Sequence, residues 1–115
     1  MRILIVDDDS VMLRAASREL SHAGHACFTT TQPPPVIVKG SLDVALLDWS
    51  PHGPAMIELC KTAGVPFVVF TADPDRVTTG LAVVSKPYER GALEAALTAV
   101  YDGARLEKFP MIEST

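Results

Sequence analysis

Four apolar stretches of the chain each run into residues able to do chemistry. Ile3-Leu4-Ile5-Val6 ends in Asp7-Asp8-Asp9, Val44-Ala45-Leu46-Leu47 in Asp48, Phe67-Val68-Val69-Phe70 in Thr71, and Ala82-Val83-Val84 in Ser85-Lys86-Pro87. Aspartates gathered in one crevice repel each other and raise one another's pKa unless a positive charge intervenes. A divalent cation meets that need. Oxygen donors without accompanying His or Cys suit a hard ion such as Mg²⁺, which takes one or two carboxylates, keeps several waters and uses phosphate oxygens for the rest. A phosphoryl group is therefore the implied substrate. A carboxylate can attack phosphorus to form an acyl phosphate, a transfer catalysed mainly by positioning and by neutralising the non-bridging oxygens. Asp48, alone at the end of its stretch, is the candidate nucleophile. Lys86 offers a compact positive charge, and the Thr71 hydroxyl can donate a hydrogen bond to a phosphoryl oxygen.

These residues meet only if the stretches that carry them lie side by side. Ile3–Val6, Val44–Leu47, Phe67–Phe70 and Ala82–Val84 read as short buried strands, and His25–Thr29 as a weaker fifth. Between them lie helical periodicities. The first helix is expected from Ser10, as N-cap, to about His22, with Met12, Ala16, Leu20 and Ala23 on one side and Gly24 at its end. Met56, Leu59, Cys60 and Ala63 share one face of another, stopped by Gly64 and Pro66, and Leu93, Ala96, Leu97, Val100 and Tyr101 share the face of the last. Alternation of strand and helix predicts an α/β domain with a mainly parallel sheet and right-handed crossovers. In such a sheet ligands bind beyond the carboxyl ends of the strands, where the strand order reverses. With order 2-1-3-4-5, the acids after strands one and three share that crevice.

Two crossovers depart from the pattern. Gln32-Pro33-Pro34-Pro35 falls where the second helix should begin, leaving little more than Val36–Gly40 for a short second helix. Asp73-Pro74-Asp75 and Thr78-Thr79-Gly80 take up most of the span between Thr71 and Lys86, so the fourth helix is expected to be truncated or irregular.

With 115 residues, 48% of them hydrophobic, the chain fits one domain, expected over 1–107 with a tail over 108–115 containing Pro110. The formal net charge of -4 and scattered basic residues argue against nucleic-acid binding. The apolar run after Met1 is too short for a signal peptide, and no stretch approaches a membrane span, so a soluble cytoplasmic protein is expected. Cys27 and Cys60 suggest neither a disulfide framework nor a metal site, and His22, His25 and His52 show no ligand spacing.

Taken in order, Ile3-Leu4-Ile5-Val6-Asp7-Asp8-Asp9, Ala45-Leu46-Leu47-Asp48-Trp49, Phe70-Thr71-Ala72 and Ser85-Lys86-Pro87 make nearly the whole chain resemble the receiver domain of two-component response regulators. That resemblance implies a flavodoxin-like, doubly wound, five-stranded parallel sheet and phosphorylation of Asp48. It implies Mg²⁺ held directly by Asp8 and Asp48, largely through water by Asp7, and by the backbone carbonyl of Ser50. It also implies a cis peptide bond at Lys86-Pro87, open to an X-Pro bond at modest cost, and a role for Asp73 in tuning dephosphorylation. The implied donor is a histidine kinase or histidine phosphotransfer protein. Gly64-Val65-Pro66-Phe67-Val68-Val69-Phe70-Thr71 further resembles the Pro-Phe-x-Phe-Ala-Thr-Gly-Tyr branch, in which short fourth helices occur, although Ala72 and Asp73 do not match its ending. Val83 stands where many receivers carry a switch aromatic.

The leading expectation is a stand-alone receiver acting through phosphorylation-dependent binding of an unknown downstream protein, or as a phosphate sink. A degenerate receiver serving as an unphosphorylated interaction module is the alternative. A phosphohydrolase would need an acid two residues past the nucleophile, where Ser50 stands. Trp49 and Tyr88 are expected to pack rather than to react.

Overall fold

A computed structural model describes residues 1–78 and 80–108. Five strands, β1 (Arg2–Val6), β2 (Ala26–Thr30), β3 (Val44–Asp48), β4 (Phe67–Thr71) and β5 (Val83–Ser85), form one sheet in the order β2-β1-β3-β4-β5. Every pairing is parallel. The expected strand order and fold class are both observed, with β2 and β5 each shifted one residue along the chain from the spans read in the sequence.

A parallel sheet must be covered on both faces, and period-2 alternation divides its apolar side chains between two layers. Helices α1 (Ser10–His22) and α3 (Ala92–Lys108) bury Leu13, Ala16, Leu20, Leu93 and Leu97 against Ile3, Ile5, Val44, Leu46, Val68 and Phe70. On the opposite face α2 (Gly53–Ala63) brings Met56, Ile57, Cys60 and Ala63 against Leu4, Val6, Ala45, Leu47 and Val69. Each large side chain removed from water in this way contributes roughly 1.5–3 kcal/mol before the entropy of ordering it is subtracted. The inward position in the first turn of α1 is Leu13; Met12, expected there, is half-buried.

Asp9, not Ser10, caps α1. Asp9 is extended (φ -86°, ψ 107°), and its Oδ1 accepts hydrogen bonds from Val11 N at 2.9 Å and Met12 N at 3.4 Å. Asp and Ser are about equally good N-caps, so the sequence could not separate two neighbours. At the other stop, Gly64 adopts φ +70°, its N–H reaches back to the last turn of α2, and Val65 N donates to Cys60 O at 2.8 Å.

The crossover from β2 to β3 contains no helix, which corrects the short one expected over Val36–Gly40. Three consecutive prolines lack N–H donors, and each biases the residue before it away from the helical region. Only four positions, Val36 to Lys39, then remain before Gly40 turns at φ +84°, too few to repay helix nucleation. Local bonds replace the helix: Thr30 Oγ1 donates to Gln32 O at 2.7 Å and Ser41 Oγ to Val38 O at 2.6 Å, while Ile37 tucks into the α2-side core.

The fourth crossover is truncated as expected, to a 3-10 turn over Pro74–Arg76 that buries no residue. With only this turn among the described residues of the crossover, β5 is less well covered on its α2 side than the central strands, and Val83 and Val84 are half-buried. Of the tail expected over 108–115, Lys108 closes α3, and the remainder lies outside the described residues. No described helix is long and apolar enough to cross a membrane.

Candidate functional site

Strand register explains why the chemical residues converge. Val6 pairs with Leu47, so Asp7 and Asp48 are the next positions along two adjacent strands. Asp48 pairs with Phe70, Thr71 with Ser85, and Lys86 follows one residue on. Alternation then sorts the side chains. Ile5, Leu46 and Val84 all face the layer under α1 and α3, so Asp7, Asp48 and Lys86, each two residues further, continue on that face.

Lys86 bridges the two strands. Its Nζ donates to Asp7 Oδ2 and to Asp48 Oδ1, each at 3.1 Å. Asp7 is fully buried, and its other oxygen accepts from Asp9 N at 2.9 Å. Below the ammonium lies the ring of Phe70, 4.3 Å from Nζ to centroid. Such a ring adds cation–π attraction and keeps water from beneath the lysine. The sequence reading missed this role for Phe70, although strict alternation from Val68 would have placed it on the same face as Asp48.

Asp8 is exposed above this pair, and one carboxylate oxygen from each of Asp7, Asp8 and Asp48 lies within 4.8 Å of the others. Three carboxylates against one ammonium leave two negative charges uncompensated when all are ionised. That charge and an all-oxygen donor set fit a hard divalent cation such as Mg²⁺. Asp48 is the acid whose titration is most displaced. Burial pushes its pKa up to about 6; the Lys86 hydrogen bond pulls the other way, and the charge of Asp7 pushes up again. Mutual repulsion of the acids, the cause expected from the sequence, is thus secondary to desolvation. For Lys86, burial works against the charged form, yet its bonds to Asp48 and Asp7 prevail and hold the pKa above the ordinary lysine value.

A cleft of about 460 Å³ opens beside Asp48, with Ser50, Thr71, Asp73, Arg76 and Lys86 among its walls. Thr71 is buried; its Oγ1 accepts from Asp73 N at 3.1 Å, and its carbonyl accepts from Lys86 N at 2.7 Å, which ties the ends of β4 and β5 together. Both Ser50-Pro51 and Lys86-Pro87 are cis. Trp49 lines the cleft and also packs on the α2-side core, where its ring limits position 53: a Cβ on Gly53 would come within 3.0 Å of Trp49 Cε3. Tyr88 packs against the other layer. Arg76 was not singled out in the sequence, where Asp73-Pro74-Asp75 signalled only turn-forming residues in a truncated crossover. Cys60 is buried, its thiol pushed up to about 12 by burial, and Cys27 is half-buried; both are free.

Sheet order, the strand-end acids and the lysine that follows β5 together match the receiver-domain fold of response regulators. Solved structures agree. A response regulator receiver domain protein from Clostridium thermocellum matches with TM-score 0.73 at 20% identity, covering 92% of this chain and 98% of that one. The receiver domain of the hybrid histidine kinase CckA matches with TM-score 0.72 at 20% identity, over 88% of this chain and 99% of that one. A transiently phosphorylated "switch" in bacterial signal transduction matches with TM-score 0.66 at 21% identity, over 90% and 96%. At these identities the likeness is one of fold. No family model and no curated protein sequence matches the chain.

Proposed function

We propose that this protein is a phospho-accepting receiver in which Asp48 takes a phosphoryl group from a phosphohistidine donor, either a histidine kinase or a histidine phosphotransfer protein. The observation that carries this reading is the Lys86 ammonium, 3.1 Å from Asp48 and from buried Asp7, at the mouth of a cleft that also holds Thr71. A carboxylate oxygen of Asp48 would bond to phosphorus as the P–N bond of phosphohistidine breaks and its electron pair returns to the imidazole. Lys86 and the Thr71 hydroxyl would steady the non-bridging oxygens.

Asp8, Asp48 and the Ser50 carbonyl would hold Mg²⁺ directly. Asp7, whose two oxygens already accept from Asp9 N–H and Lys86, is better placed to act through water. When bound, the ion neutralises phosphoryl charge. Asp73, joined to Thr71 through its backbone N–H, would tune how quickly water hydrolyses the acyl phosphate. The modified protein would signal by binding a downstream protein or serve as a phosphate sink, in keeping with a cytoplasmic location. Incubation with acetyl phosphate and Mg²⁺ should increase the intact mass by one phosphoryl group; an unchanged mass would count against the proposal.

A second reading, a degenerate receiver acting as an unphosphorylated interaction module, is favoured by a fourth crossover that holds only a 3-10 turn among its described residues and by Val83, half-buried where many receivers have an aromatic residue. Trp49 discriminates between the two because it follows Asp48 directly and lines the cleft. The phospho-accepting reading expects its fluorescence to change saturably with Mg²⁺ at low salt. It also expects the affinity to fall as pH drops through about 6, where Asp48 takes up a proton. Indifference to Mg²⁺ would favour the module.

A further inference from the structure

Among the described residues lining the cleft, Arg76 is a second cation, and nothing in the transfer chemistry above employs it. Its Nε lies 3.2 Å from Asp73 Oδ2 in an i,i+3 pair whose side chains are 79% and 63% exposed. Pairs so exposed are weak and easily exchanged. The 3-10 turn that carries Arg76 buries no residue, so turning the guanidinium disturbs no packing.

Charge gives Arg76 something to turn towards. A phosphoryl group brings about -1.5 to -2 charges and three acceptor oxygens to a site. Lys86 cannot serve them alone, because its ammonium is also bound to the fully buried Asp7 carboxylate. The Thr71 oxygen has one lone pair engaged by Asp73 N–H, so Thr71 Oγ1 and Arg76 belong to one short hydrogen-bonded segment, Thr71–Arg76. A planar guanidinium can give two parallel hydrogen bonds to phosphoryl oxygens, which an ammonium cannot.

We propose that Arg76 exchanges Asp73 for the phosphoryl group on Asp48, and that the resulting shift of the Ala72–Val77 segment is how the modification is read in a fold whose fourth crossover holds only a 3-10 turn among its described residues and which carries Val83 in place of an aromatic residue. This rests on Asp48 being the acceptor. The exchange makes and breaks only ion pairs and hydrogen bonds.

Opposite effects of two substitutions provide the test. The full chain is titrated with beryllofluoride and Mg²⁺ as a phosphoryl mimic, and the dissociation constant is compared among variants. Arg76→Ala should weaken binding about 10-fold, the usual worth of a charge-assisted hydrogen bond, with Arg76→Lys intermediate. Asp73→Ala, which releases the guanidinium, should tighten binding about 2-fold, the scale of an exposed ion pair. Amide resonances of Asp73–Val77 should move on binding in the wild type and stay in place in Arg76→Ala. A purely structural Asp73–Arg76 pair would make both alanine variants change affinity in the same direction. That result, or wild-type affinity in Arg76→Ala, overturns the proposal while leaving Asp48 as acceptor intact. Failure of the wild-type chain to bind the mimic overturns both.

Discussion

Lys86→Ala is expected to slow phosphoryl acceptance from acetyl phosphate by about 100-fold or more, the usual cost of removing one preorganised donor to a transferring group. The reason is geometric. One ammonium sits 3.1 Å from the nucleophile and from a carboxylate with no solvent contact, above an aromatic ring that excludes water from below. The same substitution should lower stability. Breaking a buried ion pair by deleting one partner costs about 3–5 kcal/mol, and the smaller figure of about 2 kcal/mol is expected here because Asp48 is partly exposed and can take up a proton instead. Mg²⁺ should return part of that loss by compensating the same carboxylates. Lys86→Arg should not rescue transfer, since a planar fork cannot occupy the point between two acids that an ammonium fills. Intact-mass time courses and urea titrations with and without Mg²⁺ report both effects. An acceptance rate within 2-fold of wild type would remove Lys86 from the chemistry.

Asp48→Asn should abolish acceptance, because an amide oxygen lacks the charge to attack phosphorus, and should stabilise the metal-free protein at neutral pH. The sign follows from the titration of Asp48. Its pKa is raised on folding from 3.8 to about 6, chiefly by burial, so the folded state binds this proton more tightly than the unfolded chain does. The stability linked to this group is complete below about pH 4 and is lost as the pH rises through about 6. At pH 7 the ionised side chain therefore costs the metal-free fold about 1–2 kcal/mol, after allowance for its partial exposure to solvent. A neutral amide avoids that cost, so the wild type and the Asp48→Asn variant should converge in stability near pH 4 and diverge near pH 7. Saturating Mg²⁺ should narrow the gap at pH 7. Equal pH dependence in the two proteins would mean that Asp48 is not held in the environment described.

What was legible in the sequence was what depends on strand ends. Apolar runs that stop at Asp7, Asp48, Thr71 and Lys86 carry both the sheet and the position of its crevice, because a parallel sheet delivers its carboxyl ends to one side. The truncated fourth crossover was equally visible, since Pro74 and the turn residues around it leave no room for a full helix. Less legible were features decided by competition between near-equals or by tertiary contact. Asp9 and Ser10 are both good caps, and only the folded chain shows Asp9 accepting from Val11 and Met12. Val36–Gly40 loses its short helix because nucleation fails after three prolines, a balance that periodicity does not register. Phe70 reads as one more core residue until β3 and β4 are aligned and its ring is found beneath Lys86. The dominance of burial over repulsion at Asp48 likewise depends on what packs around the strand end, which no local pattern records.

The central claim is that Asp48 itself becomes an acyl phosphate. Borohydride reduces an aspartyl phosphate to homoserine, which marks the modified residue permanently. After treatment with acetyl phosphate and Mg²⁺, reduction and proteolysis, the peptide spanning Val44–Pro54 should carry homoserine at position 48, with Asp7, Asp8 and Asp9 unchanged. Homoserine at any of those three positions instead, or at none, would contradict the assignment of Asp48 as the phosphoryl acceptor.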